Sequence, residues 1–372
     1  MTHLERPYGR FFLPGPTEVH PSVLQAQARP PIGHRGPEMR DLMAALQPGL
    51  KAVFGTERPV IVSTSSATGL METAVRCGVR RKLLCLVNGA FSQRFADIAE
   101  LCGVPYEILE VGWGAAHTPG PVADRLASGE FDAVSLVHSE TSTGALNDIP
   151  SLLPAFRQHP DVQILVDSVT GIGGVPFRAD DWGIDFVVTG SQKALALPPG
   201  LAFGVASERF LDRARGIRGR GMYLDVVAFY EQLEKLQTPT TPAVTLLYAL
   251  QVQLERILKE GVEARWARHA ELADRTWSWV EDVQSRRDPA FRVLAPREWR
   301  SPTVTCIRLP GGMSGPDVVA GVDSRGWVIG GGYGRLKEET VRIGHMGDHT
   351  LESLEGVLAV LDETLAGMEA RS

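Results

Sequence analysis

Cysteine is scarce in this sequence of 372 residues, which contains only Cys77, Cys85, Cys102 and Cys306. No two of them form a CxxC pair, so the pattern excludes a disulfide framework and favours free thiols in a reducing compartment. No uncharged run reaches the length of a membrane span, and the opening MTHLERPYGRFF lacks the apolar core of a signal peptide. These absences predict a cytoplasmic protein without a membrane partner.

The common signatures of nucleic-acid, nucleotide and metal binding are also missing. The formal net charge of −6 argues against nucleic acid as the main partner. Neither GxGxxG nor GxxxxGK[ST] occurs, so a dinucleotide or a nucleoside triphosphate is the weaker ligand hypothesis. His345 and His349 lie close together, but Gly347 between them disfavours the helix that paired metal-binding histidines need. No metal site is predicted.

The sequence does contain a series of short apolar runs separated by helical patterns. Runs near residues 60, 85, 135, 165, 186 and 203 are bounded by turn residues, which is typical of buried strands. This alternation predicts an α/β domain with a largely parallel sheet. Pro37 and the apolar residues that follow it at helical spacing predict a helix that ends at Gly55.

Two of these runs lead directly to chemically active side chains. The run 164–166 stops at Asp167, and the run 184–188 is followed closely by Lys193, 26 residues after that aspartate. Ligands collect at the carboxyl ends of strands in open α/β sheets. There, a lysine can form a Schiff base with pyridoxal phosphate, and a carboxylate can keep the cofactor's pyridine nitrogen protonated. An isolated pair of this kind is more often a surface lysine and a turn-capping aspartate, so the neighbouring stretches decide the interpretation.

Two strand-to-helix junctions offer cofactor contacts, each with a structural alternative. Ser66, Ala67 and Thr68 precede or begin a helix, where unpaired backbone N–H groups bind a phosphate, but simple N-capping explains them equally well. Phe91 lies at the corner after the next strand and either stacks on a flat cofactor or belongs to the core. The polar stretch 138–143 follows a third strand, and it is too long to be structural filler throughout.

The chain is predicted to consist of an arm and two domains. The arm, 1–21, is extended because Pro14 and Pro16 prevent a helix there, so we expect it to pack on another domain or subunit. The large domain, 22–262, carries the parallel sheet, and a smaller α+β domain, 263–372, follows. One long helix is predicted from about 244 to 282.

The sequence leaves two alternative roles for each of two arginines. Arg342, on a predicted strand of the smaller domain, is either a bidentate carboxylate ligand or a surface arginine. Arg35 follows His34 in a glycine-flanked loop, which is either part of a site or a solvated turn.

Taken together, these stretches resemble the class V aminotransferases of fold type I, close to the alanine–glyoxylate and serine–pyruvate aminotransferase group. The similarity covers nearly the whole chain and includes FLPGPTEVHPSVL, GHRGPEM, NGAFSQR, HSETSTGAL, LVDSVTGIGG, GSQKALALPPG, TPTTPAV and VRIGHMGD. It implies the fold of PLP-dependent transferases, with a mainly parallel seven-stranded sheet in the large domain and a smaller C-terminal α+β domain. It also implies the cofactor pyridoxal 5′-phosphate (PLP).

The resemblance implies roles around the cofactor ring. Lys193 would attach the cofactor and later move the substrate proton, while Asp167 would pair with the pyridine nitrogen. Phe91, at a position where relatives usually have tryptophan, would stack on one face of the ring, and Val169 would pack on the other. Thr141 would lie near the phenolic oxygen.

The resemblance also implies roles for the phosphate and the substrate. The phosphate would be held by Ser66, Ala67 (in place of a glycine common in relatives), Thr68 and Gln192, with Thr241 reaching over from the neighbouring subunit. Arg342 would bind the substrate α-carboxylate, and Gly15 in the arm would close the site. A homodimer with shared active sites is therefore expected.

The implied activity is ping-pong transamination between alanine, serine or aspartate and a 2-oxo acid such as glyoxylate or pyruvate. Arg35 is a candidate ligand for a side-chain carboxylate of the donor. The alternatives within the superfamily are a phosphonate or phosphoserine transaminase and a PLP-dependent lyase or cysteine desulfurase. The alternative from another class is a non-catalytic binding protein built on the same fold.

Overall fold

Two β-sheets and a two-stranded ribbon form the framework of the protein, whose structure, a computed structural model, describes residues 6–369. In chain order the strands are β1 (Phe11–Phe12), β2 (Ile61–Ser63), β3 (Leu83–Val87), β4 (Tyr106–Glu110), β5 (Ala133–Val137), β6 (Ser139–Glu140), β7 (Ala145–Leu146), β8 (Gln163–Asp167), β9 (Phe186–Gly190), β10 (Ala202–Ala206), β11 (Arg292–Val293), β12 (Val304–Arg308), β13 (Val328–Gly331) and β14 (Thr340–Gly344). The α-helices are α1 (Pro21–Ala26), α2 (Pro37–Phe54), α3 (Ala67–Gly78), α4 (Ala90–Leu101), α5 (Pro119–Leu126), α6 (Ile149–Arg157), α7 (Glu208–Arg215), α8 (Val226–Leu233), α9 (Val244–Glu260), α10 (Val262–Arg286), α11 (Gly315–Asp323) and α12 (Leu351–Glu369).

The larger sheet has seven strands in the order β2-β10-β9-β8-β5-β3-β4. The strands β4, β3, β5, β8 and β9 run parallel to one another, and β10 is antiparallel to both β9 and β2. The mainly parallel seven-stranded sheet implied by the resemblance is therefore confirmed. The apolar runs did not reveal β4 because this edge strand is only partly buried and carries a glutamate at two of its five positions.

The strand order brings the carboxyl ends of several strands to one edge of this sheet. Val137 at the end of β5 is paired with Asp167 at the end of β8, and Asp167 is paired with Val188 near the end of β9. Because β2 runs parallel to β9, the start of α3 after β2 lies at the same edge, as does the start of α4 after β3. Asp167 and the first residues of α3 and α4 therefore lie at the same edge of the sheet.

Helix α2 confirms the helix that Pro37 and the apolar spacing predicted. It ends at Gly55, whose φ of +58° is a left-handed conformation that glycine adopts without strain. A Cβ atom at Gly55 would also lie 2.5 Å from the Phe177 carbonyl oxygen, so this helix end is fitted to the loop before β9.

The smaller sheet has the order β1-β13-β14-β12-β11 and a separate hydrophobic core. Its pairs are antiparallel except for β1, which pairs in parallel with β13 through Phe11 and Phe12. Phe12 is fully buried in the core of this sheet, and its ring stacks on His349 with 4.1 Å between the ring centroids. The arm thus packs on another part of the same chain by adding an edge strand, a pairing that the sequence analysis did not predict.

The single long helix expected from 244 to 282 is wrong, because two helices occupy this region. Helix α9 ends at Glu260 and α10 begins at Val262. Gly261 between them has a φ of +89°, which interrupts the helical backbone.

The predicted division into 1–21, 22–262 and 263–372 stays a prediction, which limited proteolysis would test. Residues 1–5 of the arm and 370–372 of the last unit lie outside the described residues. Within 6–369, none of the helices combines the length and the apolar character needed to cross a membrane.

Candidate active site

A cavity of about 220 Å³ lies where β5, β8 and β9 end. Ten of the twelve residues implied by the resemblance line it: Gly15, Ser66, Ala67, Thr68, Phe91, Thr141, Asp167, Val169, Gln192 and Lys193. The remaining lining residues, to which the sequence analysis gave no role, are Met71, Arg94, Val137, Ser139 and Thr170. Larger depressions, such as one of about 460 Å³ beside Arg292 and Arg308 and one of about 600 Å³ beside the end of α2, contain none of these residues and are more open to solvent.

Lys193 lies beneath the N-terminal arm. Its Nζ donates a hydrogen bond to the Pro14 carbonyl oxygen at 2.7 Å. The arm is fastened just after this contact, because the Thr17 amide donates to the Gln192 carbonyl and the Thr17 hydroxyl donates to the Lys193 carbonyl. Gly15 has a φ of +112°, and a Cβ atom at that position would overlap Lys193 Nζ, so any larger residue would displace the amine. The arm therefore closes the cavity over the lysine amine.

The environment of Lys193 lowers its pKa to about 8. Burial is the main cause, since an ammonium group loses its hydration there. The positive charges of Arg342 and Arg94 also lower the pKa, whereas the Asp167 carboxylate opposes them. A lysine with such a pKa carries a larger neutral fraction near neutral pH and is a better nucleophile and base.

Asp167 responds to burial in the opposite direction. Its pKa is raised to about 6, mainly by burial, with a further increase from the nearby Glu140 charge. The Val169 amide donates to Asp167 Oδ1 at 2.7 Å, and no other hydrogen bond to this carboxylate is formed within residues 6–369. The second carboxylate oxygen is therefore available to a proton donor in the cavity, such as a protonated ring nitrogen.

Ser66 at the start of α3 does not behave as a simple helix cap. It occupies the N-cap position with extended backbone angles, but its side chain makes no capping hydrogen bond. Two residues on, Thr68 Oγ1 accepts a hydrogen bond from Arg94 Nη1 at 3.3 Å. Unpaired N–H groups and free hydroxyls at a helix N-terminus form a ready anion site, so the local geometry favours phosphate binding over N-capping.

Glu140 is a buried organiser of the site to which the sequence analysis gave no role. Its fully buried carboxylate accepts hydrogen bonds from the amides of Phe91, Ser92 and Ser142 and from the hydroxyls of Ser92 and Ser142. These bonds tie the start of α4, which carries Phe91, to the turn that carries Thr141. The unusual polar stretch after β5 was the sequence signal for this arrangement.

Phe91 and Arg342 are connected through Tyr333. The rings of Phe91 and Tyr333 are stacked with 5.1 Å between centroids, and the Arg342 guanidinium lies 5.6 Å from the Tyr333 centroid. Arg342 is buried in β14, where its Nε donates to the Gly331 carbonyl and its Nη1 donates to the Thr141 carbonyl. It does not line the cavity itself, but the Thr141 contact places it directly behind the wall.

Thr241 is exposed and does not line the cavity of its own chain. The segment before it is held by Arg35, which donates to the Thr238 and Pro239 carbonyls and to the Gln237 side chain. The guanidinium of Arg35 is therefore engaged with the segment 237–239 in this chain. This contact gives the His34-Arg35 loop a structural role that the sequence analysis left open.

The cysteines bear on the desulfurase alternative, which requires a reactive and accessible thiol. Cys306 is buried in β12, and burial raises its pKa to about 11. Cys77 and Cys85 are buried as well, and their pKa values are raised to about 12. Burial also raises the pKa of the half-buried Cys102. None of these thiols lines the cavity.

We predict that Gly15→Ala slows the reaction of Lys193 with added pyridoxal phosphate by about 100-fold, because a displacement of about 1 Å is costly for a reacting group. Gly9→Ala is the matched control. Gly9 also has a positive φ, of +94°, but its added Cβ would lie at an ordinary 3.6 Å from Ser353. Both variants should lose similar thermal stability, and equal reaction rates in the two would contradict the proposed contact.

Comparison with known proteins places the chain in a family. The class-V aminotransferase model matches residues 22–333. A serine–glyoxylate aminotransferase of Methylorubrum extorquens is 33% identical, covering 95% of this chain and 90% of that protein. An L-aspartate–glyoxylate aminotransferase of Paracoccus denitrificans is also 33% identical, covering 91% and 86%. The crystal structure of an alanine–glyoxylate aminotransferase from Nostoc superposes with a TM-score of 0.90 at 30% identity, covering 98% and 97%. The chain therefore belongs to the class-V aminotransferase family and has the fold and enzyme class that the resemblance implied.

Proposed function

We propose that this enzyme uses PLP to transfer the amino group of a small amino acid to a 2-oxo acid. The donors are alanine, serine or aspartate, and the acceptor is glyoxylate or pyruvate. The observation that carries the proposal is that the half-buried Lys193 and the buried Asp167 line one cavity, with pKa values shifted towards neutrality. The three relatives support the substrates, because each is named for glyoxylate and for one of these amino acids.

The residues of the cavity fit this cofactor. When bound, PLP would supply an aldehyde for Lys193 and an electron-withdrawing ring that makes the α-proton of an amino acid acidic. Asp167 would hold the proton on the ring nitrogen, and Phe91 and Val169 would cover the two ring faces. The phosphate would meet the start of α3 at Ser66–Thr68, with the Gln192 side chain nearby.

The side chains of this chain then divide the chemistry between them. Lys193 Nζ, in its neutral form, would take the proton from the α-carbon of the donor and, as a general acid, would deliver it to the carbon that the cofactor's aldehyde supplies. Arg342 is suited to bind the substrate α-carboxylate, because its Nη2 makes no hydrogen bond within residues 6–369 and burial strengthens a charge-assisted pair. The arm at Pro14 and Gly15 excludes water from the amine.

The first test is an absorption titration of the purified protein with PLP, followed by separate additions of alanine, serine and aspartate. We expect a Lys193-dependent cofactor band, and conversion to the pyridoxamine form with release of the matching 2-oxo acid. Lys193→Ala should abolish turnover without unfolding the protein, whereas the exposed Lys235→Ala should behave as wild type. Turnover that survives in Lys193→Ala, or ammonia release in place of amino transfer, would contradict the proposal.

The lowered pKa of Lys193 predicts how cofactor uptake depends on pH. Only the neutral amine attacks an aldehyde, so uptake by the cofactor-free protein should rise with pH and level off above about 8. Below that pH, each unit should slow uptake by about tenfold. Arg342→Gln removes a charge that lowers this pKa and should move the profile to higher pH, whereas Arg342→Lys should not. A stopped-flow profile that is the same in all three proteins would refute this explanation.

We also propose that the enzyme is a cytoplasmic homodimer in which Thr241 completes the phosphate site of the partner subunit. The exposure of Thr241 and the bonds that hold the preceding segment support this arrangement. Sedimentation would test the dimer, and cell fractionation would test the location.

Subunit mixing tests the shared site directly. Lys193→Ala and Thr241→Glu should each be nearly inactive, because one lacks the amine and the other places a negative charge beside the phosphate. After the two proteins are mixed and allowed to exchange subunits, activity should return, since each mixed dimer contains one intact site. A mixture that exchanges subunits and stays inactive would show that each site is built from one chain.

A further inference from the structure

Arg94 faces the cavity from the first turns of α4. Its Nη1 donates to Thr68 Oγ1 at 3.3 Å, and its guanidinium carbon lies 4.9 Å from the centroid of the Phe91 ring. No carboxylate of the described residues lies within salt-bridge distance of Arg94. A partly buried guanidinium that lines a cavity without a paired anion is suited to a ligand that brings negative charge.

Arg94 contributes one of the few positive charges near the cavity. The two cationic side chains in its wall are Arg94 and Lys193. In the proposed function Lys193 is consumed in the bond to the cofactor, and the other groups near the start of α3 are neutral. Arg342 lies behind the wall with two of its nitrogens bonded to backbone carbonyls. Arg94 is therefore the cation that remains available to a phosphate dianion.

We propose that Arg94 binds the phosphate group of the cofactor, a role that rests on the proposed function. The contact with Thr68 holds the guanidinium at the N-terminus of α3, where backbone N–H groups already favour an anion. The planar guanidinium can donate two parallel hydrogen bonds to phosphate oxygens, which lysine cannot. The contact with Phe91 holds the same guanidinium against the residue that would stack on the cofactor ring.

A second anion would also suit Arg94, namely the side-chain carboxylate of a dicarboxylic donor such as aspartate. The hydrogen bond to Thr68 favours the phosphate, because it holds the guanidinium at the helix start rather than near the Arg342 side of the cavity. The experiment below separates the two ligands.

The test compares PLP with pyridoxal, which has the same ring and aldehyde but no phosphate. Dissociation constants are measured by absorption titration of cofactor-free wild type, Arg94→Gln and Arg94→Lys. Arg76→Gln is the matched control, because Arg76 lies on α3 but pairs with Glu72 away from the cavity. We expect Arg94→Gln to weaken PLP binding by about 10- to 100-fold while pyridoxal binding stays the same. Arg94→Lys should recover part of the loss, and Arg76→Gln should match wild type with both ligands.

Inorganic phosphate provides a second readout that does not depend on the aldehyde. Phosphate alone should raise the Tm of the cofactor-free wild type and of Arg76→Gln, and this increase should be smaller in Arg94→Gln. The comparison of Tm with and without phosphate corrects for any change in the stability of the variant itself.

Three results would overturn the inference. Equal weakening of PLP and pyridoxal in Arg94→Gln would mean that Arg94 acts through the position of Phe91. Unchanged PLP binding with a raised KM for aspartate, but not for alanine, would assign Arg94 to a substrate carboxylate. A wild-type protein that forms no Lys193-dependent band with PLP would overturn the proposed function and this inference together, whereas the first two results would leave the proposed function intact.

Discussion

The contact between the Lys193 amine and the N-terminal arm connects every part of this enzyme. The amine donates to the Pro14 carbonyl oxygen, while Phe12, two residues earlier in the arm, is buried in the core of the smaller sheet. The two sheets therefore meet through a short piece of chain that passes directly over the reactive group. A rearrangement of the smaller sheet would move the cover of the lysine, so the geometry of the amine depends on the packing of both cores.

Burial shifts the pKa values of Asp167 and Lys193 in opposite directions. It raises the pKa of Asp167 to about 6 and lowers that of Lys193 to about 8, so both groups titrate closer to neutral pH than they do in water. A cofactor that carries a ring N–H and an aldehyde would restore a partner to each of them. Burying these charged side chains without a partner costs free energy, so the same burial favours binding of a ligand that pairs with them. Arg94, which also lacks a paired anion within residues 6–369, would favour the phosphate for the same reason.

Much of the site was predictable because it lies at junctions between secondary structures. Asp167, Lys193 and the Ser66–Thr68 stretch follow strands of the parallel sheet, and parallel strands bring their carboxyl ends to one edge whatever the details of packing. The sequence pattern alone left Arg342 as either a carboxylate ligand or a surface arginine. Only the resemblance predicted that this residue of the C-terminal part of the chain belongs to the site.

The features that sequence reasoning missed depend on contacts between distant segments. Arg94 lies on an amphipathic helix like any surface arginine, and only the tertiary structure, which places it in the cavity wall beside Thr68, distinguishes it. The break at Gly261 was missed because the apolar spacing continues on both sides of it. The pairing of β1 with β13 joins residues more than 300 positions apart, and no local pattern specifies such a pairing.

The charge of Glu140 has a structural role, because its carboxylate holds neighbouring segments of the site in place. An acidic side chain close to Asp167 would ordinarily be a candidate general base. Here the carboxylate already accepts five hydrogen bonds from three backbone amides and two serine hydroxyls. The lone pairs of such a carboxylate are already occupied, and moving it would release the start of α4 and the turn at Thr141 together. The rigidity of the side of the cavity that contains Phe91 and Thr141 therefore comes from a charge that is fully used in hydrogen bonds, and the proton transfer is proposed for Lys193 instead.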